Sequence, residues 1–162
     1  MPGDWISELA ETAKKHDKHH LSLENRRAKE ARVIADNCQR FWDGLLAVVE
    51  RDVARFQQEF AHDPKRSLTM EKTAPHCFRV FRTASSGVTL DVHLQTSDSA
   101  AIDFKYISAA GHQHAASEWS GSLAFRVGPN EELYLSQYGR DYPDLDEISR
   151  MFLERVFKGA FR

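Results

Sequence analysis

The sequence predicts an α+β domain: a long N-terminal helix, an antiparallel meander of about six strands and a C-terminal helix, with both helices packed on one sheet face. Three observations predict it. Apolar residues recur at steps of three or four up to Phe60, alternate with a period of two from Ser67 to Leu135, and return to the helical period after Asp144. The chain of 162 residues is read as one domain, with residues 1–20 set apart as a mobile or separately folded arm.

The long helix is read over residues 23–60. Ile34, Cys38, Phe41, Leu45, Val49, Val53, Phe56 and Phe60 form its apolar stripe, widened by Ala31, Ala35, Trp42, Leu46 and Val48. Arg32, Asp36, Arg40, Asp43, Glu50, Asp52 and Gln57 supply a solvated side, and Pro64 bounds the run. Gly44 lies beside the stripe and reads as a point of close packing, with a hinge as the rival. At 1.5 Å per residue the stripe from Ile34 is roughly 40 Å long, about the diameter of a domain this size. Any helix upstream of it therefore overhangs, and it must fray, fold back or pack on a second copy.

Upstream, Asp4 is a candidate N-cap for a short first helix with Trp5, Ile6, Leu9 and Ala13 near one face. The polar run Lys14–Lys15–His16–Asp17–Lys18–His19–His20 reads as a break or a frayed extension. His16, His19 and His20 have spacing for one helical side, which zinc can use with a further ligand; the neighbouring lysines weigh against a cation.

After Asp63–Pro64 the first strand holds Leu68 and Met70, and Pro75 ends it. Phe78 and Val80 mark the second. Ser85–Ser86–Gly87 reads as a three-residue hairpin loop that pairs Ala84 with Val88, Val80 with Val92 and Phe78 with Leu94. Val88, Leu90, Val92 and Leu94 alternate strictly with Thr89, Asp91, His93 and Gln95. A turn at residues 96–99 leads to Ile102, Phe104 and Tyr106. A loop with Gly111, His112 and His114 precedes a strand with Trp119, Leu123, Phe125 and Val127 inward, and Leu133 and Leu135 complete a final strand. Asp144 and Glu147 have capping-box spacing for the last helix, whose apolar side is Leu145, Ile148, Phe152, Val156 and Ala160; Lys158 and Arg162 suit its C-terminal dipole. A curved sheet wrapped around the long helix is the alternative layout.

Composition excludes more than it assigns. Charged residues make up 28% with a formal net charge of -2, and no block of charge argues for nucleic acid or an acidic membrane. Two cysteines, Cys38 and Cys77, make no disulfide framework. The first residues lack the basic start and apolar run of a secretory leader, and no apolar run approaches membrane-spanning length, so a reducing cytoplasm is expected. No G-x-S-x-G, P-loop, H-E-x-x-H, C-x-x-C or G-x-G-x-x-G motif occurs, and no cofactor is expected.

Three places can carry chemistry. Alternation puts Arg79, Asp91, His93, Asp103, Lys105, Glu118, Ser120, Arg126, Tyr134 and Tyr138 on the outward sheet face, where acid, histidine and base can hold a polar ligand or perform proton transfer, or form cross-strand ion pairs. His112 and His114 sit in a loop, a place that carries function more often than a core. Trp42, Phe104, Tyr106 and Trp119 line an apolar pocket or simply fill the core. Arg79, Asp91, His93, Lys105, Glu118, His112 and His114 are thus the candidate ligand-binding residues, with no catalytic residue assigned. The leading expectation is a non-catalytic binding or adaptor domain that pairs with itself as a homodimer or with a protein partner. The rival is a small-ligand-binding protein or enzyme using the outward sheet face.

Overall fold

The computed structural model describes residues 4–83, 87–97, 99–109 and 116–159. Its first element, α1 (Trp5–Glu59), is a single helix of 55 residues, roughly 80 Å long. Asp4 caps it, accepting from the backbone N–H of Ser7 at 3.4 Å. The break expected at residues 14–20 does not occur. That run is polar but holds no glycine or proline, and one-turn pairs follow it, His20 with Glu24 at 3.2 Å and Arg26 with Glu30 at 3.3 Å. Gly44 is no hinge either: α1 continues through it, and a methyl there would stand 3.3 Å from Cδ1 of Leu145. The helix stops at Phe60, and a 3-10 turn (Pro64–Arg66) capped by Asp63 starts the sheet.

Seven strands follow: β1 (Leu68–Ala74), β2 (Cys77–Arg82), β3 (Val88–Gln95), β4 (Ala101–Ser108), β5 (Ser117–Val127), β6 (Leu133–Gln137) and β7 (Arg140–Tyr142). They pair antiparallel in chain order, so β1 and β7 are the edges. The β2–β3 register differs by two residues from the expected one. Val80 faces Leu90 and Phe78 faces Val92, leaving a connection of residues 83–87, of which 84–86 lie outside the described residues. A shift of two preserves the faces, since side chains alternate with a period of two, but it changes every cross-strand partner. The extra strand, β7, follows a two-residue turn in which Tyr138 (φ 50°) and Gly139 (φ 78°) both adopt left-handed backbone. Both central residues of a type I′ turn need that conformation. Tyr138 is therefore a turn residue, 95% exposed, and not a member of the sheet face.

The second helix, α2 (Leu145–Lys158), is capped by Asp144, which accepts from the N–H of Asp146 at 2.9 Å. Glu147 does not close the expected box; its carboxylate takes Arg140 at 2.8 Å. Gly159 (φ 68°) ends the helix, while Ala160 and Arg162 lie outside the described residues. Arg82, on the helix-facing side of β2, donates to the carbonyls of Val156 and Phe157, satisfying last-turn acceptors.

Both helices pack on the same sheet face and on each other, α1 against β1, β5 and β6, and α2 against β2, β3 and β7. Between them lie Trp42, Leu45, Phe78, Leu90, Ile102, Phe104, Tyr106, Leu123 and Phe152, all buried. Trp42, Phe104 and Tyr106 thus fill the core. Trp119 is on the helix side opposite Tyr106 but remains 40% exposed beyond the edge of α2, with the Arg155 guanidinium 4.0 Å over its ring. No helix among the described residues is long and apolar enough to cross a membrane.

Candidate functional site

Two surfaces stand out: the outward face of the sheet and the first half of α1. Alternation along the strands builds the former. Three cross-strand rows run over it. Thr69, Phe81, Thr89, Ile107 and Glu118 form one; Glu71, Arg79, Asp91, Lys105 and Ser120 the next; Cys77, His93, Asp103 and Ser122 the third. The middle row alternates acid and base. Arg79 meets Asp91 through two bonds of 2.6 and 3.2 Å, and Lys105 meets Glu118 at 2.7 Å. The first of these pairs holds the Arg79 guanidinium above its ordinary pKa, through its hydrogen bond to Asp91 and then that carboxylate's charge.

Small side chains on β5 leave a trough of about 690 Å³ beside these rows. Arg79, Asp91, His93, Asp103, Lys105, Ser120 and Ser122 line it, with Cys77 and Thr73 at one end. Arg79, Asp91, His93 and Lys105 are thus brought together, and Glu118 joins them through Lys105. His112 and His114 lie outside the described residues. Sequence reasoning missed Cys77 as the cross-strand neighbour of His93, itself opposite Asp103, because the two-residue register difference set His93 against Arg79 instead. The row has the residue types of a thiol catalyst, yet burial, then the Asp91 charge, push the Cys77 thiol up. A nucleophilic cysteine needs the reverse. Nδ1 of His93 is 3.1 Å from the side-chain amide of Gln95.

The second surface is the arm. Every residue from Asp4 to Lys29 is exposed. The first buried residue of α1 is Cys38. At 100° per residue, Trp5, Leu9, His16, His20 and Leu23 fall within about 60° of one another, on the same side as Ile34, Cys38 and Phe41 further along. One continuous stripe is therefore covered by the sheet in its second half and bare in its first. Trp5 is 61% exposed and Leu9 59%. Asp4, Glu8, Glu11, Arg26 and Lys29 share one flank of that stripe, again within about 60°. The flank is acidic at the tip and basic at the root. Arg26 also meets Glu30, and Lys29 meets Glu131 at 3.4 Å.

Beside the root lies a groove of about 740 Å³ between α1 and the β5–β6 turn, lined by Arg26, Lys29, Val33, Val127, Pro129 and Tyr134 among others. A further groove along α2 holds Arg140, Arg150, Arg155 and Lys158, interleaved with Glu147 and Glu154. Lys158 draws the Glu154 carboxyl below its ordinary pKa by hydrogen bond and charge. Within that groove Arg140 pairs with Glu147 and Lys158 with Glu154, while Arg155 lies over the Trp119 ring. No protein-family model, curated protein or solved structure matches the chain.

Proposed function

We propose that this chain is a non-catalytic assembly domain that pairs with a second copy through the first half of α1, the arms lying antiparallel. One observation carries the reading: residues 4–29 are exposed throughout, yet they continue the apolar stripe by which the rest of α1 docks on the sheet. Helices in proteins draw most of their stability from packing an amphipathic face, and this stretch of the stripe packs on nothing within the described chain. Charge selects the partner and the direction. Antiparallel helices pair like flanks, so Glu8 meets Lys29 and Glu11 meets Arg26 of the other copy, on both sides of a two-fold axis. Trp5 of each arm then reaches the level of Arg32 of the other, beside the root groove with its Val33, Val127 and Pro129 walls. The interface is isologous and closes on itself, giving a dimer and no filament.

Light scattering on the intact chain across a range of concentration tests this reading. A dimer that reverts to monomer when residues 1–20 are deleted is expected. Unchanged mass and unchanged stability after that deletion would overturn it.

A second reading, a small polar ligand on the outward sheet face, draws support from the trough beside Ser120 and Ser122. The Arg79, Lys105 and His93 side chains around it suit a carboxylate or phosphate group. Its test is a thermal-shift screen of small anions. A hit abolished by Lys105→Ala supports it, and no shift with any small anion counts against it.

A further inference from the structure

The arm carries a second feature, which rests on the pairing just proposed. His16 and His20 stand one turn apart on the bare stripe, their ring centroids 6.4 Å apart and their planes 17° from parallel. Two imidazoles at i and i+4 are the arrangement by which one helix offers two nitrogen ligands to zinc. Carboxylates flank both rings. Asp17 Oδ1 is 3.9 Å from Nδ1 of His16, and Glu24 Oε1 is 3.2 Å from Nε2 of His20. The two negative charges suit a cation, and with Glu24 on Nε2 of His20 it is Nδ1 of that ring that is left to ligate. At 100° per residue Lys14 and Lys18 project from the opposite side of the helix, and Lys15 from the flank, about 100° round from His16.

One chain supplies too few donors. Among the described residues, no group of three His, Cys, Asp or Glu is placed to hold a metal ion. A closed zinc site takes four ligands. Antiparallel pairing provides the other two. The pairings Glu8 with Lys29 and Glu11 with Arg26 fix the two-fold axis at the level of Lys18 to His19, and His16 of one arm then comes within one residue of the level of His20 of the other. Charge and histidine spacing thus point to registers that agree to within one residue, about 1.5 Å of rise. We propose that the paired arms bind one zinc-class divalent ion between them, through His16 and His20 of each copy. The metal locks the dimer, and the site does not exist in the monomer.

The test is zinc titration of the tag-free full chain at neutral pH, followed by competition with a chromogenic chelator and by solution mass. One zinc per two chains is expected, with dimer dissociation weakened at least about tenfold at saturating metal. His16→Ala and His20→Ala should each abolish that stoichiometry, and His19→Ala should retain it; alanine preserves the helix. One zinc per chain, or a site that survives both alanine variants, overturns the proposal. A dimer indifferent to zinc overturns the metal site and leaves the pairing standing. A monomer at every concentration, with or without zinc, overturns both.

Discussion

The hydroxyl of Ser149 donates to Oδ2 of Asp52 at 2.7 Å, joining α2 to α1 across 97 positions of chain. Ser149 is fully buried among the apolar residues of α2, and Asp52 is also held by Arg51 at 2.8 Å. A buried hydroxyl bonded to a carboxylate contributes about 1.5–3 kcal/mol. Ser149→Ala is expected to fall at the lower end, because Asp52 keeps Arg51 and some water. Urea denaturation measures it. A double-mutant cycle with Asp52→Ala separates the pair from its surroundings, and a coupling near zero would deny the bond its role.

Tyr106 makes stability depend on alkaline pH. Its hydroxyl lies 2.8 Å from the Phe152 carbonyl and 3.1 Å from that of Met151, and the residue is fully buried. Burial pushes the phenol up to about 12, against the lowering effect of Arg155. A raised folded-state pKa means the contribution is complete below the unfolded value near 10 and is lost as pH rises through about 12. The full displacement corresponds to roughly 3 kcal/mol. Tyr106→Phe should therefore cost about 1 kcal/mol at neutral pH and flatten the decline above pH ~10. Urea midpoints measured against pH check both. Parallel alkaline profiles would contradict the assignment.

Gly121 is required by steric fit, not backbone conformation. A methyl there would stand 2.6 Å from Cζ of Phe104 and 2.8 Å from Nε2 of Gln137. The Phe104 ring cannot retreat easily, since Tyr106, Trp119 and Phe152 surround it at centroid distances of 5.9, 5.5 and 5.4 Å. Overpacking of this kind costs about 1–3 kcal/mol. Gly121→Ala should lower the melting temperature by roughly 2–10 °C for a chain of this size, read by calorimetry. An unchanged melting temperature would show that the rings yield.

The last turn of α2 depends on Arg82. Its guanidinium donates to two terminal carbonyls and lies against Gly159, where an added methyl would come within 3.0 Å of it. Arg82→Met retains the packing stem and removes the donors. A loss of about 1.5–3 kcal/mol is expected, with faster amide exchange confined to the end of α2. Uniform acceleration of exchange over the whole chain would point to a general packing defect instead.

Much of this architecture was legible in the sequence, because apolar period and face do not depend on register. The inward set Phe78, Val80, Leu90, Val92, Ile102 and Phe104 follows from alternation alone. What alternation cannot supply is the pairing. A loop five residues long in place of three turned Arg79 from His93 to Asp91, and with it the ion pair and the neighbour of Cys77. β7 escaped notice because Tyr138–Gly139 lacks the Asn or Asp that usually marks a two-residue turn. The unbroken arm escaped for a different reason. Its polar sequence is compatible with a helix but gives no packing signal to extend one, and its apolar residues are widely spaced along the stripe. The outward charges were legible as a face, and the trough between them was not, since it depends on Ser120 and Ser122 lying beside Lys105 and Asp103 on the neighbouring strand.

Charge reversal tests the direction of the arms. Glu8→Lys with Glu11→Lys makes the acidic tip basic, and each reversed residue then meets Lys29 or Arg26 of the partner in an antiparallel dimer. Like charges at paired flanks destabilise by roughly the few tenths of a kcal/mol that each opposite pair contributes, and the two-fold axis doubles every change. The variant should therefore dissociate at a concentration at least about tenfold higher than the unaltered chain. Arg26→Glu with Lys29→Glu in the same chain restores complementarity with the polarity exchanged, and dimerisation should recover. Parallel arms would set tip against tip, where Glu8 and Glu11 already repel their copies. In that case the first pair of reversals would leave repulsion in place, and the second pair would rescue nothing. Equilibrium sedimentation of the two variants beside the unaltered chain separates the arrangements, because only antiparallel pairing couples the tip of one arm to the root of the other.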